Sequence, residues 1–427
     1  MVVLKLDGET GEVLWLQHYA PAGDQHETAY AIAAGANGDA YVVGRAYTEG
    51  AMDDMIALRL AAADGSIVWN TRVDGPEHGN DRAYDVVLDA AGDLIFTGIS
   101  VNADVTADYL TVKLAAADGR VLWTRRDPDA LDNDNRAGWI GLAPGGLDVI
   151  VANRTWLSGH SFDVVLFRYA GANGARQWSA SYDRAGGADD LRDLLIDADG
   201  FPVVTGVSSG DMMTLRFDPS DGGLVWDAFK DGPMGWYDLA DCAIDGPDGL
   251  LLVGGYTDGG DSTWDATIVA YDRATGDEAW TLIFDGADSL TDELRGLALG
   301  PDGELYAAGY SYAYGTDMDM LALRYDFTQT AVPGAWSGAA PVSAWPNPFS
   351  ERVQLRAALP AAGDYRAAIY DLQGRALRHF AGRAAAGELG LAWDGRDDAG
   401  RLAPAGVYLV RVTSEAGAWQ GRVMRLR

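Results

Sequence analysis

Asp108-Tyr109-Leu110-Thr111-Val112-Lys113-Leu114-Ala115-Ala116-Ala117-Asp118-Gly119-Arg120-Val121-Leu122-Trp123 is one copy of a pattern that recurs along this 427-residue chain. An apolar run follows an aspartate, an Asp-Gly pair reverses the chain, and a second run ends on tryptophan. The opening aspartate returns as Asp54, Asp163, Asp211, Asp265 and Asp319, and the turn as Asp64-Gly65, Asp221-Gly222 and Thr275-Gly276. Tryptophan returns at Trp15, Trp69, Trp123, Trp178, Trp226 and Trp280, spaced by 54, 54, 55, 48 and 54 residues. A constant period of that size marks one supersecondary unit copied in tandem. After a polar loop of variable length each unit adds two more short runs, such as 84–88 and 94–97, joined by Ala90-Ala91-Gly92-Asp93. Before residue 330 no apolar period of 3.6 residues runs far enough for a long helix.

Four short strands per ~54-residue unit are the dimensions of a β-propeller blade. The fold expected is all-β: a six- or seven-bladed propeller over residues 1–327, then a second small domain. Six hairpins of each kind can be counted, with one first strand left over at 320–325, which favours seven blades. Met1-Val2-Val3-Leu4-Lys5-Leu6 already reads as a first strand, so a leader and two strands are expected upstream. Each indole is expected to pack between neighbouring sheets.

The composition fits a globular chain with many turns: 48% apolar residues and 54 glycines. No apolar stretch approaches the ~18 residues of a membrane span. The net charge is −31 and very uneven. From residue 345 onward 12 arginines face 8 acidic residues, whereas 20 basic residues face 55 acidic ones before it. So negative a surface repels nucleic acid and anionic lipid and keeps the chain soluble. The lone Cys242 excludes an internal disulfide and shares a column with Ile32, Val86, Ile140, Leu194 and Leu297, so it reads as a buried apolar residue.

Residues 328–344 are rich in Ala, Gly, Pro and Ser and read as a linker. Residues 345–427 show short alternating runs at 353–355, 365–370, 389–393, 407–412 and 420–426, the size of a β-sandwich. Four motifs occur in order there: Pro346-Asn347-Pro348-Phe349, Ile369-Tyr370-Asp371-Leu372-Gln373-Gly374-Arg375, Trp393-Asp394-Gly395-Arg396 and Ala405-Gly406-Val407-Tyr408. This segment resembles the C-terminal immunoglobulin-like tails of the FlgD-like and type IX secretion sorting (Por-type) kind. The resemblance implies export across an outer membrane, with secretion machinery as partner and a secreted or cell-surface location. The repeats are similar to pyrroloquinoline-quinone-type propellers at Leu6-Asp7-Gly8-Glu9-Thr10-Gly11-Glu12-Val13-Leu14-Trp15, and closer as a whole unit to repeats of bacterial secreted propellers. The quinoprotein comparison implies a dehydrogenase, but those enzymes use adjacent cysteines and this chain has one.

No coherent catalytic or cofactor-binding set emerges. Gly206-Val207-Ser208-Ser209-Gly210 matches G-x-S-x-G, but it lies between two strand patterns, whereas a nucleophile elbow needs a strand running into a helix. His18, His26, His78, His160 and His379 show no metal-type spacing. Asp127, Asp129, Asp132 and Asp134 form the densest acidic loop and are the metal candidates, with Ca2+ as the ion, against a plain solvated loop. A second acidic column precedes the third strand of the unit: Glu27, Asp81, Asn135, Asp189, Tyr237 and Asp292. It is expected to ring one face of the propeller, either capping backbone N–H groups or lining an acidic channel mouth. A site hides best where the repeat is broken, and aromatic residues do so at Trp139, Trp156, Trp236, Tyr237, Trp264, Tyr310, Tyr312 and Tyr314. These are the candidates for contact with a glycan or a surface protein. The expected function is a monomeric, non-enzymatic binding or adhesion module. The alternative is an extracellular enzyme, quinone-dependent or acting on polysaccharide, with its site in the asymmetric loops.

Overall fold

The computed structural model describes the chain apart from residues 21–25, 48–51, 76, 103–105, 128–137, 157–161, 185, 261–262, 287–289, 302, 314–316, 326–339, 346, 348, 350–351, 371–374, 404–405, 415–416 and 426–427. It divides into two units, Met1–Ala298 with Ala307–Ala322, and Leu299–Tyr306 with Leu323–Arg427. In the first unit five four-stranded antiparallel sheets cover residues 27–73, 81–127, 139–182, 189–230 and 239–284, here blades 1 to 5. A two-stranded sheet (Val2–Leu6, Val13–His18) precedes them and a three-stranded one (292–325), blade 6, follows, with its residues 299–306 and 323–325 assigned to the second unit. Val2–Leu6 pairs with a tryptophan strand as the third strands of blades 1 to 5 do, and Asp317–Tyr325 also stands third. The two partial sheets are therefore different blades, and among the described residues the repeat region holds seven sheets.

The strands follow chain order across each blade, and the first strands of neighbouring blades pack together at the inside. The blade frame differs from the frame read from the sequence. The apolar run after aspartate and the tryptophan strand are the third and fourth strands of a blade, not the first and second. The reason lies in the loops. After the second strand a tight turn suffices, as at Ser209-Gly210 between Pro202–Ser208 and Asp211–Phe217. The longer polar loop after tryptophan must carry the chain from the outer edge back to the inside of the next blade.

Glycine explains two recurrent details. In four first strands the register shifts by one residue, opposite Gly44, Gly98, Gly206 and Gly255. A Cβ at any of these would lie 1.9–2.0 Å from a backbone oxygen of that first strand. The G-x-S-x-G match thus begins on a bulge glycine. The turn glycines Gly65, Gly119, Gly174, Gly222 and Gly276 have φ of +69° to +78°. A Cβ there would meet the tryptophan of the preceding blade at 2.6–2.8 Å.

That contact is the joint between blades. Trp69 Nε1 donates to the Ala116 carbonyl at 2.9 Å, Trp123 to Gly171 at 2.9 Å, Trp178 to Pro219 at 3.0 Å and Trp226 to Arg273 at 3.0 Å. Trp15 does the same to Ala62 at 3.1 Å. Every acceptor sits in the next blade's turn between third and fourth strands. Most of these carbonyls accept a second bond from the basic residue paired across from the tryptophan: Lys5, Arg59, Lys113 and Arg168. Three of those basic residues also pair with an aspartate in the first turn of their own blade: Arg59 with Asp39, Lys113 with Asp89 and Arg168 with Asp148. Charge-assisted bonds at both ends tie turn, strand and neighbouring blade together.

In the second unit seven strands form a sandwich whose two layers share Ala340–Trp345. That strand runs parallel to Gly417–Arg425 and then antiparallel to Val353–Leu359. The sandwich thus begins before Trp345, inside the segment read as linker, because an Ala-Pro-Val-Ser-Ala run lacks strong strand character. Ala376–Ala384 is likewise a strand the sequence pattern does not reveal. The motif residues Phe349, Trp393 and Tyr408 form one aromatic core, with ring centroids 5.3 and 4.9 Å apart. Trp393 is fully buried and its indole N–H finds the Arg396 carbonyl at 2.8 Å.

Candidate aromatic cleft and acidic junctions

Blades 5 and 6 bring aromatic side chains together where their loops meet. Trp264 opens the third strand of blade 5, and Tyr310 and Tyr312 lie on the second strand of blade 6. Being two residues apart on one strand, the tyrosines share a face, with centroids 5.8 Å apart. Thr263, Trp264, Leu290, Thr291, Glu293, Tyr310 and Tyr312 line an open cleft of about 340 Å³. Trp264 is held in place: its indole N–H donates to the Tyr237 carbonyl at 2.9 Å and its ring lies 5.7 Å from Tyr256. Trp236 and Tyr237 adjoin it on the connecting loop, each about two-fifths exposed.

The floor beside the tyrosines is polar. Arg295 reaches Asp241 at 2.6 Å, Glu293 at 2.5 Å and the Tyr310 hydroxyl at 3.1 Å. Its guanidinium also lies 5.4 Å from the Tyr310 ring. Burial, and then the bond to Glu293, raise the Tyr310 pKa, so the phenol keeps its proton at neutral pH. Burial likewise raises Asp241, partly offset by Arg295. The cleft thus offers ring faces, a phenol and a guanidinium–carboxylate pair, groups that stack on and hydrogen-bond to a polar ligand.

Of the aromatic candidates, Trp264, Tyr310 and Tyr312 come together in the cleft; Tyr237 touches Trp264 through its backbone carbonyl, and Trp236 is not among the lining residues. Trp139 does not join them: it is part-buried against the apolar core shared by blades 3 and 4 and serves packing. Trp156 ends its strand opposite Phe162, and its side chain lies outside the described residues, as does Tyr314. Glu293, Arg295 and Asp241 escape the sequence reading because they come from two different repeats; the clue is the Glu293–Arg295 spacing of two on one strand.

The described acidic candidates act as acceptors of backbone N–H groups, the first of the two roles expected of them. Asp81, Asp189 and Asp292 are fully buried at blade junctions rather than exposed. They accept backbone N–H groups from Gly75 at 2.5 Å, Arg184 at 2.8 Å and Gly286 at 2.6 Å. Burial is the main cause that raises their pKa, Asp81 to about 6. The place read as Tyr237 belongs to Asp238, which is buried, accepts Gly232 N–H at 2.8 Å and is also raised to about 6 by burial. Glu27, in the sheet after the first hairpin, lies 3.6 Å from the N-terminal ammonium. Among the metal candidates, Asp127 is consumed by Arg125, Arg176 and the Tyr169 hydroxyl and is no open ligand. Asp129, Asp132 and Asp134 lie outside the described residues.

Ser208 ends a strand, fully buried, opposite Asp189. Ser209, at φ +52°, turns the chain into the next strand, not into a helix. Cys242 is half-buried, and the register puts it in the place of Ala31, Asp85 and Asp193 rather than of Ile32, Val86 and Leu194; burial pushes its thiol up to about 12, which removes the thiolate a nucleophile needs.

Residues 1–282, about two-thirds of the chain, match the PQQ_2 family model described as outer membrane protein assembly factor BamB, and the chain belongs to that family. Residues 350–418 match the FlgD Ig-like domain. No curated protein matches the chain. Among solved structures, PorZ of Porphyromonas gingivalis, described as an essential surface component of the type IX secretion system, is 17% identical, with 95% of this chain and 53% of PorZ covered and a TM-score of 0.45. The chain thus spans about half of PorZ. BamB from Moraxella catarrhalis is 13% identical, with 94% and 99% covered and a TM-score of 0.37. Quinohemoprotein alcohol dehydrogenase from Comamonas testosteroni is 11% identical, with 98% and 68% covered and a TM-score of 0.48.

Proposed function

We propose, for this member of the BamB-type propeller family, a role as a non-enzymatic binding or adhesion module at or beyond the bacterial cell surface. The propeller presents the ligand site and the C-terminal sandwich serves as the export address. The carrying observation is the cleft of Trp264, Tyr310 and Tyr312 with Glu293 beside it. Stacking faces beside a carboxylate and a guanidinium suit the ring and hydroxyls of a sugar. The sandwich supports export through its ordered motifs and its FlgD Ig-like match.

The test applies the full chain to a glycan array and to bacterial surface fractions. Retention on a defined glycan, weakened roughly 30-fold or more by Trp264→Ala or Tyr312→Ala with the melting temperature unchanged, supports the reading. Retention indifferent to both variants refutes the cleft as the site. Dye-coupled oxidation of alcohols with added quinone and Ca2+ would replace the binding module with an enzyme.

A further inference from the structure

Four junctions between consecutive blades repeat the same three aspartates: Asp54, Asp74 and Asp81; Asp163, Asp183 and Asp189; Asp211, Asp231 and Asp238; Asp265, Asp285 and Asp292. The first lies at the start of a blade's third strand, the second follows its fourth strand, and the third lies at the start of the next blade's first strand. In sequence they stand 20 and then six or seven residues apart. Within each group one carboxylate oxygen from every residue lies within 4.8 Å of the others. Three oxygens ~2.4 Å from one Ca2+ lie up to ~4.2 Å apart, so groups whose spread has 4.8 Å as its upper limit are of the size that one shared ion draws together.

A second observation singles out two of the four. Asp189 and Asp292 are fully buried, and Oδ2 of each accepts a backbone N–H, from Arg184 and Gly286. The Oδ1 of each has no hydrogen-bond partner. The hydroxyls of Ser208 and Ser311 lie beside them and favour the charged carboxylate, yet neither closes a hydrogen bond onto Oδ1. A buried carboxylate oxygen lacking a donor, next to two more carboxylates, is costly unless a cation completes it. Between blades 2 and 3 the same spacing in the sequence gives Asp108, Pro128 and Asn135, and there Arg126 supplies positive charge to Asp108.

We propose that the Asp163–Asp183–Asp189 and Asp265–Asp285–Asp292 groups bind a hard divalent cation of the calcium class and so clamp blade 3 to blade 4 and blade 5 to blade 6. Calcium fits better than magnesium, because oxygens brought from three separate segments form an irregular shell and magnesium requires ~2.0–2.1 Å octahedral bonds. The clamp is independent of what the aromatic cleft binds.

The test is equilibrium dialysis of the full chain against 45Ca2+, alongside melting curves in Ca2+, Mg2+ and EDTA. The expected result is about two ions per chain with Kd of roughly 10⁻⁴–10⁻³ M, and a melting temperature that rises in Ca2+ more than in Mg2+. Asp183→Asn and Asp285→Asn alter the exposed member of each group, so they leave the fold intact. Each is expected to weaken one ion at least tenfold, and the double variant to lose both ions and the calcium-induced rise. No saturable Ca2+ at 10 mM, or unchanged stoichiometry and melting shift in the double variant, overturns the proposal.

Discussion

Replacing Trp226 by phenylalanine tests the blade joint directly. Its indole is 8% exposed, donates to the Arg273 carbonyl at 3.0 Å, and lies where a Cβ on Gly276 would come within 2.7 Å. Phenylalanine keeps one ring but removes the N–H and about three heavy atoms. The lost hydrogen bond contributes about 1 kcal/mol and the partly orphaned carbonyl about 1 more. The vacated space adds roughly another 1 kcal/mol, well below the ~3–5 kcal/mol of truncation to alanine. The sum is about 3 kcal/mol, a fall of several degrees in melting temperature for a unit of this size. Trp123→Phe is the internal control, since Gly171 keeps the Lys113 ammonium at 3.1 Å and its carbonyl is not orphaned. Trp226→Phe should therefore exceed Trp123→Phe by about 1 kcal/mol. The assay is urea denaturation followed by far-UV circular dichroism, with equal m-values as the check that only stability changed. Equal losses for the two variants, or a loss under 0.5 kcal/mol for Trp226→Phe (about the scatter of surface substitutions), would refute the joint as described.

Three further outcomes are expected. Gly119→Ala forces a side chain into φ +71° and against Trp69, so it should cost roughly 1–3 kcal/mol by urea denaturation, whereas Gly92→Ala, also at positive φ but with open space around it, should cost only the backbone share of about 1 kcal/mol. Asp197→Ala leaves the Arg216 guanidinium, 2.8 Å away and nearly buried, without its closest partner, and should cost about 3–5 kcal/mol, more than the double change to Asp197→Ala with Arg216→Met. Burial raises Asp193 to about 6 from 3.8, with Asp85 and Asp241 adding repulsion. The fold then favours the protonated carboxyl: its contribution to stability is present below pH ~4 and is lost as pH rises through about 6, by up to about 3 kcal/mol. Stability curves of Asp193→Asn should be flatter than wild type between pH 4 and 7, and parallel curves would contradict this.

The repeat is legible because an outer strand must bury one large side chain at the same place in each copy. Trp15 to Trp280 expose that period, and the Asp-Gly turns expose the hairpin that follows from it. The sandwich is legible through Phe349, Trp393 and Tyr408, since residues that fill one core recur as motifs. Local pattern carries this much because alternation, turn chemistry and period all act between residues close in the chain.

The blade frame, the cleft and the acidic junctions depend on pairings between distant segments. Which hairpins share a sheet is settled by hydrogen bonding across loops whose length, not pattern, differs. Asp241 meets Arg295 across 54 residues, and Asp265 meets Asp292 across a blade boundary; the sequence shows each aspartate column recurring but not that two columns converge at one junction. Trp139 and Trp264 look alike as breaks in the repeat, yet one is packed and the other faces the cleft. Burial is a property of the assembled neighbours, so it appears only when the sheets are brought together in space.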